Sequence, residues 1–176
     1  MNQKSISVTI QGTSPLLMHS FPLVPIEALE KKSPEEQAEL AAYKAHEKYY
    51  VPGVNIQRCL VSAATYSKGK GRGNLSRVVA ACVTVVPEFS VLTPQKYQVD
   101  SRPVVVPATK GRVLRHRPRF DKWQIEVIVS FDADLLTEQQ LRRVVDDGGS
   151  RVGLLDFRPE KRGPFGRFMV TVWKAC

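Results

Sequence analysis

Basic side chains interleaved with glycine form the first pattern in this sequence that could do chemistry. Lys68, Lys70, Arg72 and Arg77 lie in and just after a glycine-rich run at residues 66–73, here called the 66–73 loop. Glycine lets the backbone approach a ligand closely, and the flanking cations can meet phosphate oxygens. The run lacks the Gly-Lys-Ser/Thr ending of a Walker loop. It therefore predicts a mobile basic loop on a nucleic acid, and the alternative is a merely solvated loop.

A second set of cations follows with two other side chains interleaved. The cations are Lys110, Arg112, Arg115, Arg117 and Arg119, and the interleaved residues are His116 and Phe120. If the stretch is extended, its last three arginines share one face at a spacing of about 6.6 Å, close to the phosphate repeat of a single strand. This pattern predicts contacts with a nucleic-acid backbone. The alternative is a basic edge strand that only discourages aggregation.

The third pattern is glycine-rich and spans residues 153–167, here called the 153–167 loop. Its cations are Arg158, Lys161, Arg162 and Arg167. Arginine suits this position because its guanidinium binds phosphate in a fork, and Phe165 could either stack on a base or pack in the core. We predict that the loop contacts a strand; the alternative is a structural loop in which Arg158 pairs with Asp156. Other candidate stacking residues are Tyr66, Phe120 and Phe157.

The net charge of +9 is concentrated in the middle of the chain. Residues 51–120 hold 12 Lys and Arg against 2 Asp and Glu, whereas residues 1–50 hold 5 against 6 and residues 121–176 hold 9 against 9. A concentrated basic segment favours a polyanionic partner, because each phosphate contact releases condensed counterions. The alternative is a solubilising surface, which requires only dispersed charge.

Catalytic and metal-binding patterns are poorly represented. The histidines, His19, His46 and His116, are scattered and form no metal pattern with the cysteines. No nucleophile elbow or paired-carboxylate motif is present, so we expect no enzyme activity, no metal and no cofactor. His19 follows the first predicted strand and could act as a general base. The alternative is an ordinary hydrogen-bonded surface histidine.

The cysteines and the hydropathy indicate a cellular setting. Cys59, Cys82 and Cys176 are far apart and odd in number, which supports neither a disulfide framework nor a zinc site and favours a reducing cytoplasm. No apolar run approaches the roughly 20 residues of a membrane span, and the first residues do not resemble a signal peptide. We expect a soluble, unsecreted chain whose residues 1–176 form one domain and which has no membrane partner.

Apolar periodicity predicts the strands that must position these side chains. Alternation marks strands at residues 5–11, 123–131 and 168–172, the last with Phe168, Val170 and Val172 on one face. A β-branched apolar stretch at residues 78–86 predicts a further strand. The four together are sufficient for a small sheet.

Capping residues predict three helices. Ser33 with Glu36 and Thr137 with Gln140 have the spacing of capping boxes, and the second of these helices should stop at Gly148-Gly149. Lys44 and Lys48 suit the C-terminal end of the first helix. The third helix should follow Pro52-Gly53, with Asn55 as its cap and Ile56, Leu60 and Ala63 or Ala64 on its apolar face.

The resulting order is strand, helices, strand, strand, helix, strand. This is the split β-α-β pattern of an α+β, ferredoxin-like domain, in which helices cover one face of an antiparallel sheet and the other face stays open. Residues 88–122 form an insertion between the second and third core strands, and their four prolines predict an irregular arm or a hairpin. Connections of this length in a compact domain are usually functional or disordered.

Three short motifs resemble the repeat-associated mysterious protein (RAMP) superfamily of CRISPR systems, and above all its Cas7-like backbone branch. They are residues 12–16 (GTSPL), residues 51–58 (VPGVNIQR) and residues 163–168 (GPFGRF). The resemblance implies an RRM-like core with an inserted thumb, subunits that stack head to tail, and single-stranded RNA along the palm. It also implies that Arg58 and residues 68–77 line the groove, that residues 88–122 form the thumb and that the 153–167 loop contacts the strand.

We therefore predict a non-enzymatic protein that coats single-stranded RNA or DNA as a homo-oligomeric, helical filament. Its further partners would be other CRISPR-type subunits or, for a stand-alone phage-encoded relative of the same fold, replication or recombination proteins. One alternative is a Cas6-like, metal-independent endoribonuclease that uses His19 or His46. Another is a structural subunit of a larger assembly whose basic arm contacts acidic protein.

Overall fold

The computed structural model describes every residue from Met1 to Cys176 and contains ten strands and five α-helices. The strands are β1 (Gln3–Gly12), β2 (Leu16–Leu17), β3 (Lys44–Ala45), β4 (Lys48–Pro52), β5 (Val83–Val86), β6 (Phe89–Val91), β7 (Gln98–Val105), β8 (Arg112–Phe120), β9 (Gln124–Asp132) and β10 (Phe168–Ala175). The helices are α1 (Ile26–Glu30), α2 (Pro34–Leu40), α3 (Gly53–Ala63), α4 (Ser76–Cys82) and α5 (Glu138–Asp147). None of the helices has the length and apolar character needed to span a bilayer.

Four strands form the central antiparallel sheet in the order β10-β1-β9-β5. Counted along the chain, this order is fourth, first, third and second. It is the order that arises when two right-handed strand-helix-strand units interleave in a split β-α-β fold. The prediction of an α+β fold with a ferredoxin-like core is confirmed.

One face of this sheet forms the core. Alternate residues from Ile6 to Ile10 in β1 and from Ile125 to Phe131 in β9 are at most 2% exposed, as their period-2 pattern predicted. Apolar residues of α3 and α5 pack in the same cluster. The opposite face carries exposed polar residues such as Gln11 and Glu126. The sheet therefore has one covered face and one open face.

Both predicted capping boxes are present, but one helix is shorter than its pattern suggested. Ser33 and Thr137 each accept from the amide of the residue three positions later and are bonded in return by its side chain. The helix that follows Ser33 ends at Leu40, so Lys44 and Lys48 lie in β3 and β4 instead of at its end. The prediction that these lysines complement the helix dipole was wrong.

The helix α3 begins three residues earlier than an Asn55 cap predicts. Its first residue is Gly53, and the preceding Pro52 makes no side-chain capping bond. Instead the Gly53 amide donates to the carbonyl oxygen of Glu88, at 2.7 Å. A neighbouring chain segment thus satisfies an amide that would otherwise need a local cap. The predicted apolar face is correct, because Ile56, Leu60 and Ala63 are all buried.

The stretch predicted as a strand at residues 78–86 is half helix. Residues Ser76–Cys82 form α4, and only Val83–Val86 join the sheet. Asn74 favours the helical start, because its side-chain oxygen accepts from both the amide and the hydroxyl of Ser76. Val79 is fully buried in the core. The Asn74–Ser76 hydrogen bonds and packing in the core therefore override the strand preference of the β-branched residues.

Within residues 88–122, the hairpin alternative is correct for residues 98–120, whereas residues 92–97 before it are irregular. The strands β7 and β8 pair antiparallel from Gln98↔Arg119 to Val105↔Arg112, here called the β7–β8 hairpin. The short strand β2 pairs with β8 near its end. In the same segment β6 pairs with β4, and β4 pairs with β3 to complete a second small sheet.

The last strand departs from simple alternation. A register shift between Thr9 and Ile10 in β1 leaves Thr171 of β10 without a partner. An extra residue in one strand moves the following side chains to the other face. Consequently Phe168 is buried as predicted, but Val172 is 46% exposed and Trp173 packs against the core in its place.

Candidate nucleic-acid interface

A cavity of about 500 Å³, here called the α3 cleft, opens between α3 and the 153–167 loop. Asn55, Arg58 and Ser62 line it from α3, since residues three, four and seven positions apart share one face of a helix. The loop contributes Asp156, Arg158 and Glu160, and His19 and Tyr43 also line the cavity. The cleft therefore combines cations, carboxylates and neutral polar groups.

Backbone hydrogen bonds attach the 153–167 loop to the segment that follows β1. The Gly166 amide donates to the Pro15 carbonyl at 2.8 Å, and the Asp156 amide donates to the Leu17 carbonyl at 3.0 Å. Gly166 has a φ of 73°, and a Cβ there would lie 2.1 Å from the Leu154 carbonyl oxygen. Only glycine fits such a position. Two of the three motifs behind the RAMP resemblance thus meet in space.

Arg158 forms its ion pair with Glu160. Its alternative partner in the sequence analysis is Asp156, and that pairing is not present. Arg158 Nη2 donates to Glu160 Oε2 at 2.7 Å, and the Ser62 hydroxyl donates to Glu160 Oε1 at 2.7 Å. Burial favours a higher pKa for Glu160, but these bonds and the arginine charge outweigh it and lower the pKa. An ionised Glu160 therefore connects the loop to α3.

Asp156 pairs instead with Arg117 of β8, and its Oδ2 lies 3.6 Å from His19 Nδ1. Burial alone would raise the pKa of Asp156, but the neighbouring His19 and the charge of Arg117 lower it overall. Arg117 is only 5% exposed. The structure therefore places this predicted phosphate contact beneath the loop.

The arginines of β8 share one face, as the spacing predicted, but that face is partly occupied. Arg119 pairs with Asp121 at 2.8 Å and lies 3.6 Å from Asp100, whereas Arg115 is half-buried and forms no ion pair. The neighbouring strand places Arg102 over the ring of Phe165, 4.7 Å from its centroid. Phe165 is 5% exposed. Of the two predicted roles, it therefore packs in the core, and its ring cannot stack on a base. Phe120 is also fully buried.

The other ten predicted cations form no ion pair and face solvent. They are Arg58, Lys68, Lys70, Arg72, Arg77, Lys110, Arg112, Lys161, Arg162 and Arg167. Arg58 lies in the α3 cleft, Lys161 and Arg162 lie on the loop beside it, and Lys110 and Arg112 lie at the tip of the β7–β8 hairpin. Arg167 donates to the Ser150 carbonyl at 2.8 Å. The structure thus gathers some of these cations at the cleft and leaves others on separate segments.

A second groove, of about 880 Å³, runs between the 66–73 loop and α5. Lys68 and Tyr66 line one side, and Arg142 and Arg143 of α5 line the other. Arg142 pairs with Asp146 at 3.1 Å, whereas Arg143 forms no ion pair. These α5 arginines are not among the predicted site residues, although their position on the helix opposite the buried Leu141 and Val144 indicates that they face solvent.

No family model and no curated protein matches the sequence. In structure the chain is similar to a chain in the cryo-EM structure of the type III-B Cmr-beta complex bound to cognate target RNA, with a TM-score of 0.63 and 10% sequence identity. The match covers 99% of this chain and 61% of that one, so this chain spans about three fifths of its length. The likeness is one of fold alone.

Proposed function

We propose that this protein binds single-stranded RNA or DNA through the phosphate backbone and does not cleave it. The proposal rests on how few of the cations in residues 51–120 are paired with a carboxylate and how many are exposed. Three of the twelve, Arg102, Arg117 and Arg119, form ion pairs, and eight of the other nine are exposed. Unpaired cations concentrated in one segment repel each other, whereas a polyanion would neutralise them.

The α3 cleft is the most suitable place for the strand. Arg58 lies in it without a carboxylate partner, and Lys161 and Arg162 extend the positive charge along the loop beside it. The β7–β8 hairpin would act as a thumb-like arm, with Lys110 and Arg112 meeting phosphates further along the strand. The structurally similar chain belongs to a complex that is bound to target RNA, and this supports the proposal that the present chain binds nucleic acid.

Exposed apolar residues support assembly into a head-to-tail filament. Phe21 is 85% exposed, Leu23 is 98% exposed and Ile26 is 57% exposed, although they lie within six residues of one another. An apolar surface segment of this kind is typical of a protein interaction site. If it contacts a different surface on the next copy, the contact repeats without closing and generates a helix. The same segment could join the chain to other subunits of an assembly.

Salt titration tests the binding proposal. The affinity for a single strand of about 40 nucleotides should fall at least about 300-fold between about 50 and 200 mM salt if six or more phosphates are contacted. A small change would overturn the phosphate-contact proposal. Electron microscopy with and without the strand tests the filament, and Leu23→Ser should prevent polymerisation while leaving binding of a short strand intact.

A second candidate function, metal-independent RNA cleavage, is favoured by one observation. His19 lies beside Asp156 in the α3 cleft, where Arg58 could hold a phosphate, and a carboxylate neighbour can orient a histidine as a general base. His46 lines no such cavity and is exposed on a turn. Cleavage of labelled RNA in EDTA that is lost in His19→Ala would establish this activity. Intact RNA would eliminate it.

A further inference from the structure

Three aromatic rings form a continuous series that begins in the α3 cleft and ends on the surface. Tyr43 lines the cleft, and its ring centroid lies 6.0 Å from that of Tyr50. The Tyr50 centroid lies 4.6 Å from that of Phe89. Tyr43 and Tyr50 are half-buried, whereas Phe89 is 40% exposed. These three residues are called the aromatic run.

The pairing of β4 with β6 builds the aromatic run from distant parts of the chain. Pro52 pairs with Phe89 and Tyr50 pairs with Val91, so Tyr50 and Phe89 project from the same face of the small sheet. The Tyr50 amide donates to the Tyr43 carbonyl at 3.0 Å, which brings the third ring alongside. Ser90, between the outward residues of β6, is completely buried. The outward direction of Phe89 is therefore fixed by its strand.

We propose that the aromatic run is a stacking surface for the bases of a single strand that leaves the α3 cleft. This inference rests on the proposed function. Aromatic faces next to a basic groove are the arrangement by which proteins bind unpaired bases without sequence preference, since every base has a flat π-face. Arg58 supplies a cation in the cleft, and Lys48 lies two residues from Tyr50 on the same face of β4. Cations thus flank the rings on both sides.

The neighbouring charge determines how the strand would lie on the rings. Glu88 precedes Phe89, and burial, Tyr43 and this carboxylate together raise the pKa of Tyr50. A carboxylate at this position disfavours phosphate over the rings themselves. The strand would therefore turn its bases toward the aromatic run and its phosphates toward Arg58 and Lys48. The half-buried rings are held in place by each other, so little conformational freedom is lost on stacking.

Strands with and without bases test this inference directly. Anisotropy would compare labelled oligothymidylate (DNA) and oligouridylate (RNA) with abasic strands of the same backbone, length and charge. The comparison would be made for the wild type and for Phe89→Ala, Phe89→Leu and Leu135→Ala. The wild type should bind the base-bearing strand at least about tenfold more tightly. Phe89→Ala and Phe89→Leu should lose most of this preference but keep their affinity for the abasic strand. Leu135→Ala is the matched control, because it removes a large exposed apolar side chain that lies outside both the aromatic run and the proposed filament contact, and it should behave like the wild type.

Several outcomes would overturn the inference while leaving the proposed function standing. These are equal binding of both strands by the wild type, a full preference retained by Phe89→Leu, or an equal loss of affinity for both strands in Phe89→Ala. A change of oligomeric state in strand-free Phe89→Ala would also overturn it, since the rings would then contact a second copy. If the wild type binds neither strand, the proposed function itself fails. Thermal unfolding of each variant checks that the fold is retained.

Discussion

Arg117 and Asp156 form an ion pair that joins the β7–β8 hairpin to the 153–167 loop. Arg117 is almost fully buried, whereas Asp156 is partly open to the α3 cleft. A charge removed from water depends strongly on its partner, since an unpaired buried charge is costly. This arginine therefore holds the loop in position and is not one of the exposed cations assigned to the proposed phosphate contacts.

Replacing Arg117 should destabilise the fold. Arg117→Ala should lower the free energy of unfolding by about 3–5 kcal/mol, because Asp156 is left partly buried without its partner. Arg115→Ala is the control from the same strand, and it should change that free energy by only about 0.5 kcal/mol because Arg115 forms no ion pair. Urea denaturation measures both. Similar losses in the two variants would contradict the structural role assigned to Arg117.

Low pH should weaken the ion pair between Arg117 and Asp156, because Asp156 becomes protonated. Its pKa lies below the ordinary value of 3.8, so the ionised form stabilises the folded state. That contribution is present above about pH 4 and is lost as the pH falls through the lowered pKa. Asp156→Asn should therefore be less stable than the wild type at neutral pH, and the difference should narrow in acid. Urea denaturation at several pH values measures the free energy of unfolding of both proteins. A difference in that free energy that does not change with pH would refute this role of Asp156.

Removing the cations of the 66–73 loop should weaken binding without affecting folding. Lys68→Ala, Lys70→Ala and Arg72→Ala together should reduce the slope of log affinity against log salt by about 2, since each phosphate contact on a single strand contributes about 0.7. The control is Lys31→Ala, Lys32→Ala and Lys174→Ala, which removes equal charge outside the central basic segment. An equal change of slope in the control would show that only net charge matters.

Gly12 and Trp123 should respond to substitution as a pair. Trp123 is 2% exposed and its Nε1 donates to the Ser14 carbonyl at 2.8 Å, so Trp123→Ala should cost about 3–5 kcal/mol. A Cβ at Gly12 would lie 2.1 Å from Nε1, which makes Gly12→Ala disruptive on its own. In the Trp123→Ala background the indole ring is absent, so Gly12→Ala should cause little further loss of stability. Strictly additive losses in chemical denaturation would disprove the steric account.

Raising the pH above 10 should destabilise the fold, because Tyr49 and Tyr97 then lose their protons. Tyr49 and Tyr97 both donate to Glu39 Oε2 at 2.8 Å. Burial and these bonds raise the pKa of Tyr49 to about 12 and also raise that of Tyr97. Since the ordinary value is 10.0, their contribution should be complete below pH 10 and should disappear as the pH rises through the raised values. The double variant Tyr49→Phe, Tyr97→Phe should show a smaller loss of stability over that interval, measured by denaturation alongside tyrosinate absorbance.

Local patterns predicted the frame of the fold because its signals are local. The capping boxes at Ser33 and Thr137 and the alternation of β9 each depend on residues a few positions apart. The central strand order then follows from the handedness of the connections. The α4 helix and the extra residue in β10 depend on packing against other strands, which periodicity does not contain.

The candidate site was only partly predictable for the same reason. The glycine-rich loop and the exposed cations are visible in the sequence, but nothing in the spacing of β8 indicates that Arg117 meets a carboxylate 39 positions away. The aromatic run was missed because it requires knowing that β4 pairs with β6. Phe120 and Phe165 were proposed as stacking residues instead, and burial removes both from the surface.

The attachment of the 153–167 loop to the residues after β1 has a consequence for biosynthesis. The Arg167 amide donates to the Ser14 hydroxyl across a separation of 153 residues. During translation, contacts this distant cannot form until the ribosome has released nearly all of the intervening sequence, and such non-local contacts are also slow to close. A nascent polypeptide would display its cationic middle before the cavity beside it exists. The proposed binding of a polynucleotide in the cleft would then require the complete fold, whereas the nascent chain would bind one only weakly and reversibly.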